Sequence, residues 1–289
     1  MESSKFKFRV NKFYNKLPFN FDFASNGAKR IKNKDQVKEY GPLSTLIDKE
    51  LKYKKMLEVG CGVGWFSNSV VYHYDMSACG VDLCKKALKQ ANKIAQLLRI
   101  TNKVEFKHCD LFEIPYKNKF ALVNSLGVLH HTYDCKKAFV NISKFVEDKG
   151  YLHVGLYHKY GREPFLNLFK SVIGKVQNDT KIEKTEIQEA FNKYKELNSN
   201  LRNEKRLWSW FRDQVLHPFE TQHTLKEVFG WIKELNFELV STSINKFENI
   251  DNIDLLFEEE KKYYDISIEK NVKKKEYFPG FFTVLAKKR

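Results

Sequence analysis

Residues 56–64 read Met-Leu-Glu-Val-Gly-Cys-Gly-Val-Gly, and this stretch decides the fold. The apolar run Met56 to Val59 has the make-up of a buried strand. It ends in a tight glycine turn, and Trp65 to Val71 read as the start of a helix. Strand, turn and helix N-terminus together form a place for a ligand's polar groups. Glycine lets backbone approach the ligand closely, while the helix dipole and its free N–H groups face it. The spacing narrows the ligand. A dinucleotide fingerprint needs Gly-x-Gly-x-x-Gly. Gly60 and Gly62 fit, but Trp65 stands where the third glycine belongs and Gly64 comes one residue early.

Outward from this turn, strand and helix signals alternate as in a doubly wound α/β sheet. Strands are predicted at 55–59, 78–82, 103–109, 120–125 and 150–156. Between them lie amphipathic helices carrying Ala87, Ala91, Ile94, Ala95 and Leu98, and then Ala138, Phe139, Ile142, Phe145 and Val146. From Lys159 to His223 the rhythm turns helical, with predicted helices at 165–173, 181–197 and 204–215. A helical stretch of this length is too long for an ordinary connection and reads as an inserted cap. The sheet resumes after Thr224-Leu-Lys-Glu227, a capping box opening a helix over 225–235. Strands at 237–242 and 281–286 close the chain, with a polar helical stretch over 258–275 between them. The expected division is an N-terminal aromatic and helical lid over 1–50, an α/β core over 51–158, a cap over 159–223 and the rest of the core over 224–289. In the lid, 17–23 is aromatic, and 28–52 read as one or two helices interrupted at Gly41–Pro42.

The 289 residues are 42% hydrophobic, enough for one large core. No window is long and apolar enough for a membrane span, and the first residues lack a secretory apolar region. The five cysteines, Cys61, Cys79, Cys84, Cys109 and Cys135, are odd in number and contain no Cys-x-x-Cys pair. They read as small core residues of a cytoplasmic protein. Net charge is +15, and residues 1–55 hold 14 Lys/Arg against 6 Asp/Glu. A basic lobe suits an anionic partner such as RNA. Yet only 8 of the 51 basic residues are arginine, whose fork phosphate readers favour, and the chain is rich in Asn and Lys throughout, as coding bias alone would make it.

The run Glu58-x-Gly60-x-Gly62-x-Gly64 resembles motif I of the class I S-adenosylmethionine (SAM) methyltransferases. Asp82 ends the second predicted strand, 22 residues after Gly60, where an acid can accept both ribose hydroxyls. By the resemblance, Leu83 packs on the adenine, Asp110 accepts the adenine amine, and Leu111 lies beside the ring. Glu58, Gly60, Cys61, Gly62 and Gly64 form the cofactor turn, and the backbone near Ser125 and Leu126 faces the methionine end. Gly-Val-Leu-His-His-Thr-Tyr-Asp at 127–134 is similar to the run in the subfamily around the ubiquinone and tRNA-uridine modifying methyltransferases. One departure is Ala121, where the family usually has aspartate. The resemblance implies a seven-stranded Rossmann-like sheet, SAM as cofactor and methyl transfer as the activity.

Methyl transfer asks mainly for two atoms held in contact away from water, and a base only where the acceptor must lose a proton. Candidate groups lie at the carboxyl edge of the sheet: His130 and His131 after the fourth strand, and Tyr157, with His158 and Arg162, after the fifth. His217, Glu220 and His223 cluster in a predicted loop beside Trp208 and Trp210. They are expected to face the methyl group, as substrate contacts or cap-ordering groups; a metal set of two histidines and a carboxylate is the alternative, and no metal is assigned. The leading reading is a small molecule enclosed by the cap. An RNA acceptor and a SAM-binding scaffold without turnover are the competing ones. Oligomeric state is not legible.

Overall fold

The computed structural model describes residues 2–20, 23–201 and 203–289. Its elements run α1 (Glu2–Lys16), α2 (Ala24–Asn33), α3 (Leu43–Glu50), β1 (Lys55–Val59), α4 (Trp65–His73), β2 (Ser77–Asp82), α5 (Lys85–Leu98), β3 (Val104–His108), β4 (Phe120–Leu126), α6 (Cys135–Ser143) and β5 (Val146–Tyr157). They continue with α7 (Lys159–Leu168), α8 (Lys170–Gln177), α9 (Lys184–Leu197), α10 (Glu204–Val215), α11 (Leu225–Glu234), β6 (Phe237–Thr242), α12 (Ile253–Lys261), α13 (Tyr263–Ser267), a π-helical turn over Ile268–Lys274 and β7 (Phe281–Lys288).

The strands form one seven-stranded sheet in the order β3-β2-β1-β4-β5-β7-β6. The first five run parallel, and β7 enters antiparallel to both β5 and β6. The expected doubly wound, Rossmann-like sheet is therefore the observed one. Between β2 and β4, β1 marks the point where the strand order reverses, and the carboxyl ends there open a crevice.

Alternation along the buried strands sends neighbouring side chains to opposite faces. Leu57, Val59, Cys79, Val81 and Val123 pack on one face with Phe139 of α6 and Trp231 of α11. Met56, Ala78 and Leu122 pack on the other with Ile31, Ile47, Val70 and Ile94 from α2 to α5. The helices α7 to α10 have an apolar cluster of their own around Phe165, Phe169, Tyr194 and Phe211.

Several boundaries differ from the sequence reading. The strand expected at 150–156 begins four residues earlier, at Val146, and carries a register irregularity against β4 at Phe120–Leu122. Ala121 lies buried there, where an unpartnered aspartate would be costly. The helix expected at 165–173 is two helices, α7 and α8, parted at Phe169. The capping box at Thr224 is half made: its hydroxyl accepts from the Glu227 N–H, but the Glu227 carboxylate turns to His223 Nδ1 at 3.1 Å. Of the aromatic run at 17–23, Phe21 and Asp22 lie outside the described residues. The helix α1 was not foreseen at all.

Candidate active site

The glycine turn after β1 takes a shape that glycine suits best. Gly60, Gly62 and Gly64 have φ of 73°, 51° and 72°. The N–H groups of Gly60 and Cys61 both bond the Val81 carbonyl, at 2.8 and 3.0 Å, which ties the turn to β2. A Cβ on Gly60 would strike the Val128 side chain, whereas one on Gly62 would meet nothing within 4 Å. Gly62 thus offers bare backbone to the cavity beside it, as a ligand cradle requires.

Asp82 ends β2 with both carboxylate oxygens on backbone N–H groups, Gly62 at 2.8 Å and Cys84 at 2.7 Å. Burial pushes its carboxyl up, and those two bonds pull it partly back. Each oxygen keeps a lone pair for a ribose hydroxyl. Glu58 is buried under the turn and accepts from the Ser67 N–H at 2.9 Å and from its hydroxyl. Burial pushes it up to about 8. Asp110 accepts from the Phe112 N–H at 2.9 Å, opening a 3₁₀ turn at Leu111.

These residues line one end of a cavity of 1030 Å³. Glu58, Gly60, Cys61, Gly62, Asp82, Leu83, Asp110, Leu111 and Leu126 all reach it. Gly64 and Ser125 are not among its lining residues. Gly64 turns the chain into α4 against Ala91 and Phe106, and the Ser125 hydroxyl bonds the Val59 carbonyl at 3.1 Å, stitching β4 to β1. A cradle free of side chain at Gly62 and a buried acid at Asp82 fit the SAM expected from the sequence.

Other elements build the far end. Phe6, Val10 and Tyr14 come from α1; Trp210, Asp213 and Gln214 from α10; Tyr157 and Phe281 from the edges of β5 and β7; Tyr277 and Pro279 from the loop before β7. Helix α1 is fastened to α10 at its end: Arg212 donates to the Phe13 and Leu17 carbonyls at 2.8 and 2.9 Å, and Tyr14 donates to Asp213 at 2.7 Å. Gln214 Oε1 takes the hydroxyls of Tyr194 and Tyr277 at 3.1 and 2.6 Å.

Of the six candidate catalytic residues, His131 and Tyr157 line the cavity and four do not. His130 is sealed behind Tyr157, its Nδ1 accepting the Tyr157 N–H at 3.2 Å. Arg162 lies 3.8 Å from the Tyr157 ring centroid and His130 stacks at 4.1 Å. Those contacts cannot share one face, so the ring presents its edge and hydroxyl. Glu220 is taken by Arg162, which donates through Nε and Nη2 at 2.9 and 2.8 Å. His223 is held by Thr221 and Glu227 at 2.9 and 3.1 Å. His217 stacks on His131 at 3.9 Å, with its Nδ1 against the Phe219 carbonyl. Burial and a neighbouring imidazole push His130 and His217 well down, so both are neutral. The cluster expected at 217–223 does form a loop, but its three side chains diverge. Among the described residues no group of three His, Cys, Asp or Glu could hold a metal ion. The sequence reading missed Tyr14, Asp213, Gln214 and Tyr277, and no local pattern marks them, since α1, α10 and the loop before β7 are all rich in polar residues.

Comparison with known proteins follows the geometry. A family model described as a methyltransferase domain matches residues 50–277. An uncharacterised protein of Synechococcus sp. is 23% identical over 197 residues, covering 64% of this chain and 47% of its own. Ajmaline N-methyltransferase of Rauvolfia serpentina is 33% identical over 91 residues, 31% of each chain. The structure of PKMT2 from Rickettsia typhi in complex with AdoHcy superposes with TM-score 0.61 at 18% identity, over 94% of this chain and 54% of that one. Magnesium protoporphyrin IX methyltransferase from Synechocystis PCC 6803 with bound SAM gives 0.54 at 14%, over 98% and 97%. The chain thus spans about half the length of the Synechococcus and Rickettsia proteins. With the family match extending over most of the chain, and with the glycine turn, Asp82 and Asp110 where the motifs require them, this chain belongs to the methyltransferase-domain family of SAM-dependent enzymes.

Proposed function

We propose that the chain transfers a methyl group from SAM to a small molecule enclosed beneath α1 and the helical cap. In this reading residues 1–50 serve as the lid, 159–223 as the cap, and 51–158 with 224–289 as the catalytic core. One observation carries it: a single cavity of 1030 Å³ joins the glycine turn to a far wall supplied by α1, α10 and the β5 and β7 edges. Single-ligand sites run from ~300 to ~1,000 Å³, so a cofactor that needs the lower half of that range leaves space here for a modest second molecule. The similarity of the 127–134 run to a subfamily acting on quinones and on RNA leaves both acceptors open; the roof over the cavity favours the small one.

When bound, SAM supplies an electrophilic methyl on sulfonium. The chain's part is to hold, orient and dry. Gly62 backbone and Asp82 hold the nucleoside end, and Leu83 and Leu111 flank its base. Tyr14, Tyr157 and Asp213 face the acceptor. His130, Glu220, His217 and His223 act as positioning residues, each fixing a cap or strand-end group that reaches the cavity.

The test is titration calorimetry with S-adenosylhomocysteine on the full chain, followed by filter binding of RNA across a salt series. Tight nucleoside binding, with weak RNA binding indifferent to neutralising Lys29 and Lys32, supports the proposal. A steep salt slope that collapses in the neutralised variant would move the acceptor to RNA.

A further inference from the structure

We propose that Gln214 selects the acceptor, its side-chain N–H groups taking an uncharged oxygen, carbonyl or hydroxyl, of the substrate. This rests on the methyltransferase reading of the same cavity and names the chemistry of its second molecule. Arg206, Trp210, Asp213 and Gln214 follow one another along α10 at the i, i+4, i+7, i+8 spacing, and all four line the cavity. That spacing is one face of a helix, so Gln214 points to the same side as Trp210. Only 6% of Gln214 is exposed, and it forms part of the cavity's far wall.

Two tyrosines fix which end of the amide meets the cavity. Tyr194 of α9 and Tyr277 of the loop before β7 place their hydroxyls 3.1 and 2.6 Å from Gln214 Oε1. Burial pushes both phenols up from the ordinary 10, so both keep their protons. A carbonyl oxygen has two lone pairs, one for each. Tyr194 decides the orientation, because it is wholly buried and its hydroxyl has no other acceptor among the described residues. Turned the other way, the amide would donate to that hydroxyl and leave a buried O–H proton unmet. Oε1 therefore faces the tyrosines and Nε2 is left over. Among the described residues Nε2 makes no hydrogen bond, yet it is not sealed and keeps open surface at the cavity.

An N–H on a mostly buried wall asks for a lone pair. A hydrocarbon would dry it and leave it unpaired, which costs more than a neutral bond returns. An ammonium has no lone pair and would meet the positive end of the amide. A carboxylate has lone pairs, but Asp213 is the neighbouring residue on this wall, and two carboxyl groups sharing a dry site do not both stay charged without cost. A neutral carbonyl or hydroxyl oxygen brings the lone pair without the charge.

The surroundings say what carries that oxygen. Tyr14, Tyr157, Trp210, Tyr277 and Phe281 line the same end of the cavity. Aromatic faces and edges favour a flat ring, stacked or edge-on. The class that fits is a planar molecule bearing a neutral oxygen, its ring against the aromatics and its oxygen on Gln214.

The probes are acetophenone and isopropenylbenzene, alike in shape, one with a carbonyl oxygen where the other has a methylene. Each is titrated by ligand-observed NMR into the full chain saturated with S-adenosylhomocysteine. The reading is the ratio of the two affinities, which does not move when a variant merely slackens the wall. Gln214→Met and Gln214→Glu both lack the N–H, and the glutamate keeps an oxygen for the tyrosines should the methionine loosen α10. In each, the affinity of the ketone relative to the alkene should fall at least about fivefold, the effect of losing one neutral hydrogen bond. S-adenosylhomocysteine affinity should stay within about twofold. A ratio unchanged in either folded variant, or failure of the wild type to bind the ketone, overturns the proposal alone. So does a parallel fall in S-adenosylhomocysteine affinity, which would put Gln214 on the cofactor. Failure of the wild type to bind S-adenosylhomocysteine overturns the methyltransferase reading and this proposal with it.

Discussion

Glu58 and the glycines beside it show how single residues divide fold from chemistry. The Glu58 carboxyl is pushed by burial from the ordinary 4.5 to about 8. Between those values the folded protein keeps a proton that the unfolded chain releases. Stability therefore falls as pH rises through that window. Glu58→Gln has no such proton, so its urea-unfolding free energy should gain on the wild type by roughly a kcal/mol per pH unit from about pH 5 to about pH 8. Parallel pH profiles of the two proteins would refute this. Gly60 and Gly62 share a left-handed backbone, yet their alanine variants should differ. At Gly60 the new methyl strikes Val128, so Tm should drop. At Gly62 it projects into the cavity, so S-adenosylhomocysteine affinity should fall by more than stability does. Asp82→Ala should cost ~100-fold in that affinity, from lost ribose bonds of ~1.5–3 kcal/mol each and a loosened turn. These roles were legible because turn and acid lie on adjacent strands, each at a strand's carboxyl end. Asp213 was not legible: nothing local separates a wall carboxylate from a solvated one.

At the scale of elements, the join between α7 and the 217–223 loop decides what the polar residues of that loop do. Arg162 is wholly buried and holds Glu220 with two bonds while donating to the Gln214 and Pro279 carbonyls at 2.9 and 3.3 Å. The pair ties α7, α10, the loop and the approach to β7 at one point. Removing one partner strands a buried charge, so Glu220→Ala should destabilise the chain by ~3–5 kcal/mol in urea unfolding. A variant of normal stability that fails only in methyl transfer would instead place Glu220 on the acceptor. The α1 helix is the counterpart on the other side. At its C-terminal end Tyr14 and the carbonyls of Phe13 and Leu17 meet α10, while Arg9 donates to the Val176 carbonyl of α8 at 3.2 Å. Arg212→Ala should leave the sheet intact and speed hydrogen exchange in the last turn of α1, because both of its carbonyl bonds there are lost. Helix α1 escaped the sequence reading because its partner surface lies some two hundred residues away, and its own pattern is mostly polar.

Across the whole molecule, the parallel sheet and its helices were readable because their signals are local. Buried strands are short apolar runs with glycine or acid at their carboxyl ends, and the crossover helices carry their stripe every three to four residues. Repetition of that unit fixes a doubly wound sheet, whose switch point at β1 fixes the mouth. From residues 55–157 came five strands of a doubly wound sheet, the glycine turn, Asp82 and Asp110, and from their resemblance to a known family the cofactor; the strand order came from the structure. Tertiary structure alone decided the far end of the cavity. Its wall is assembled from α1, α10, the β5 edge and the loop before β7, segments whose contacts span most of the chain. Which of two neighbouring histidines faces the cavity also turned on packing: His131 reaches it because His130 is consumed behind Tyr157. Likewise His217, Glu220 and His223, close in sequence, diverge because a loop has no period to align side chains, and each takes the nearest buried partner. The glycine-turn end of the cavity was written locally because backbone shape makes it; the far end was not, because only the folded chain brings its side chains together.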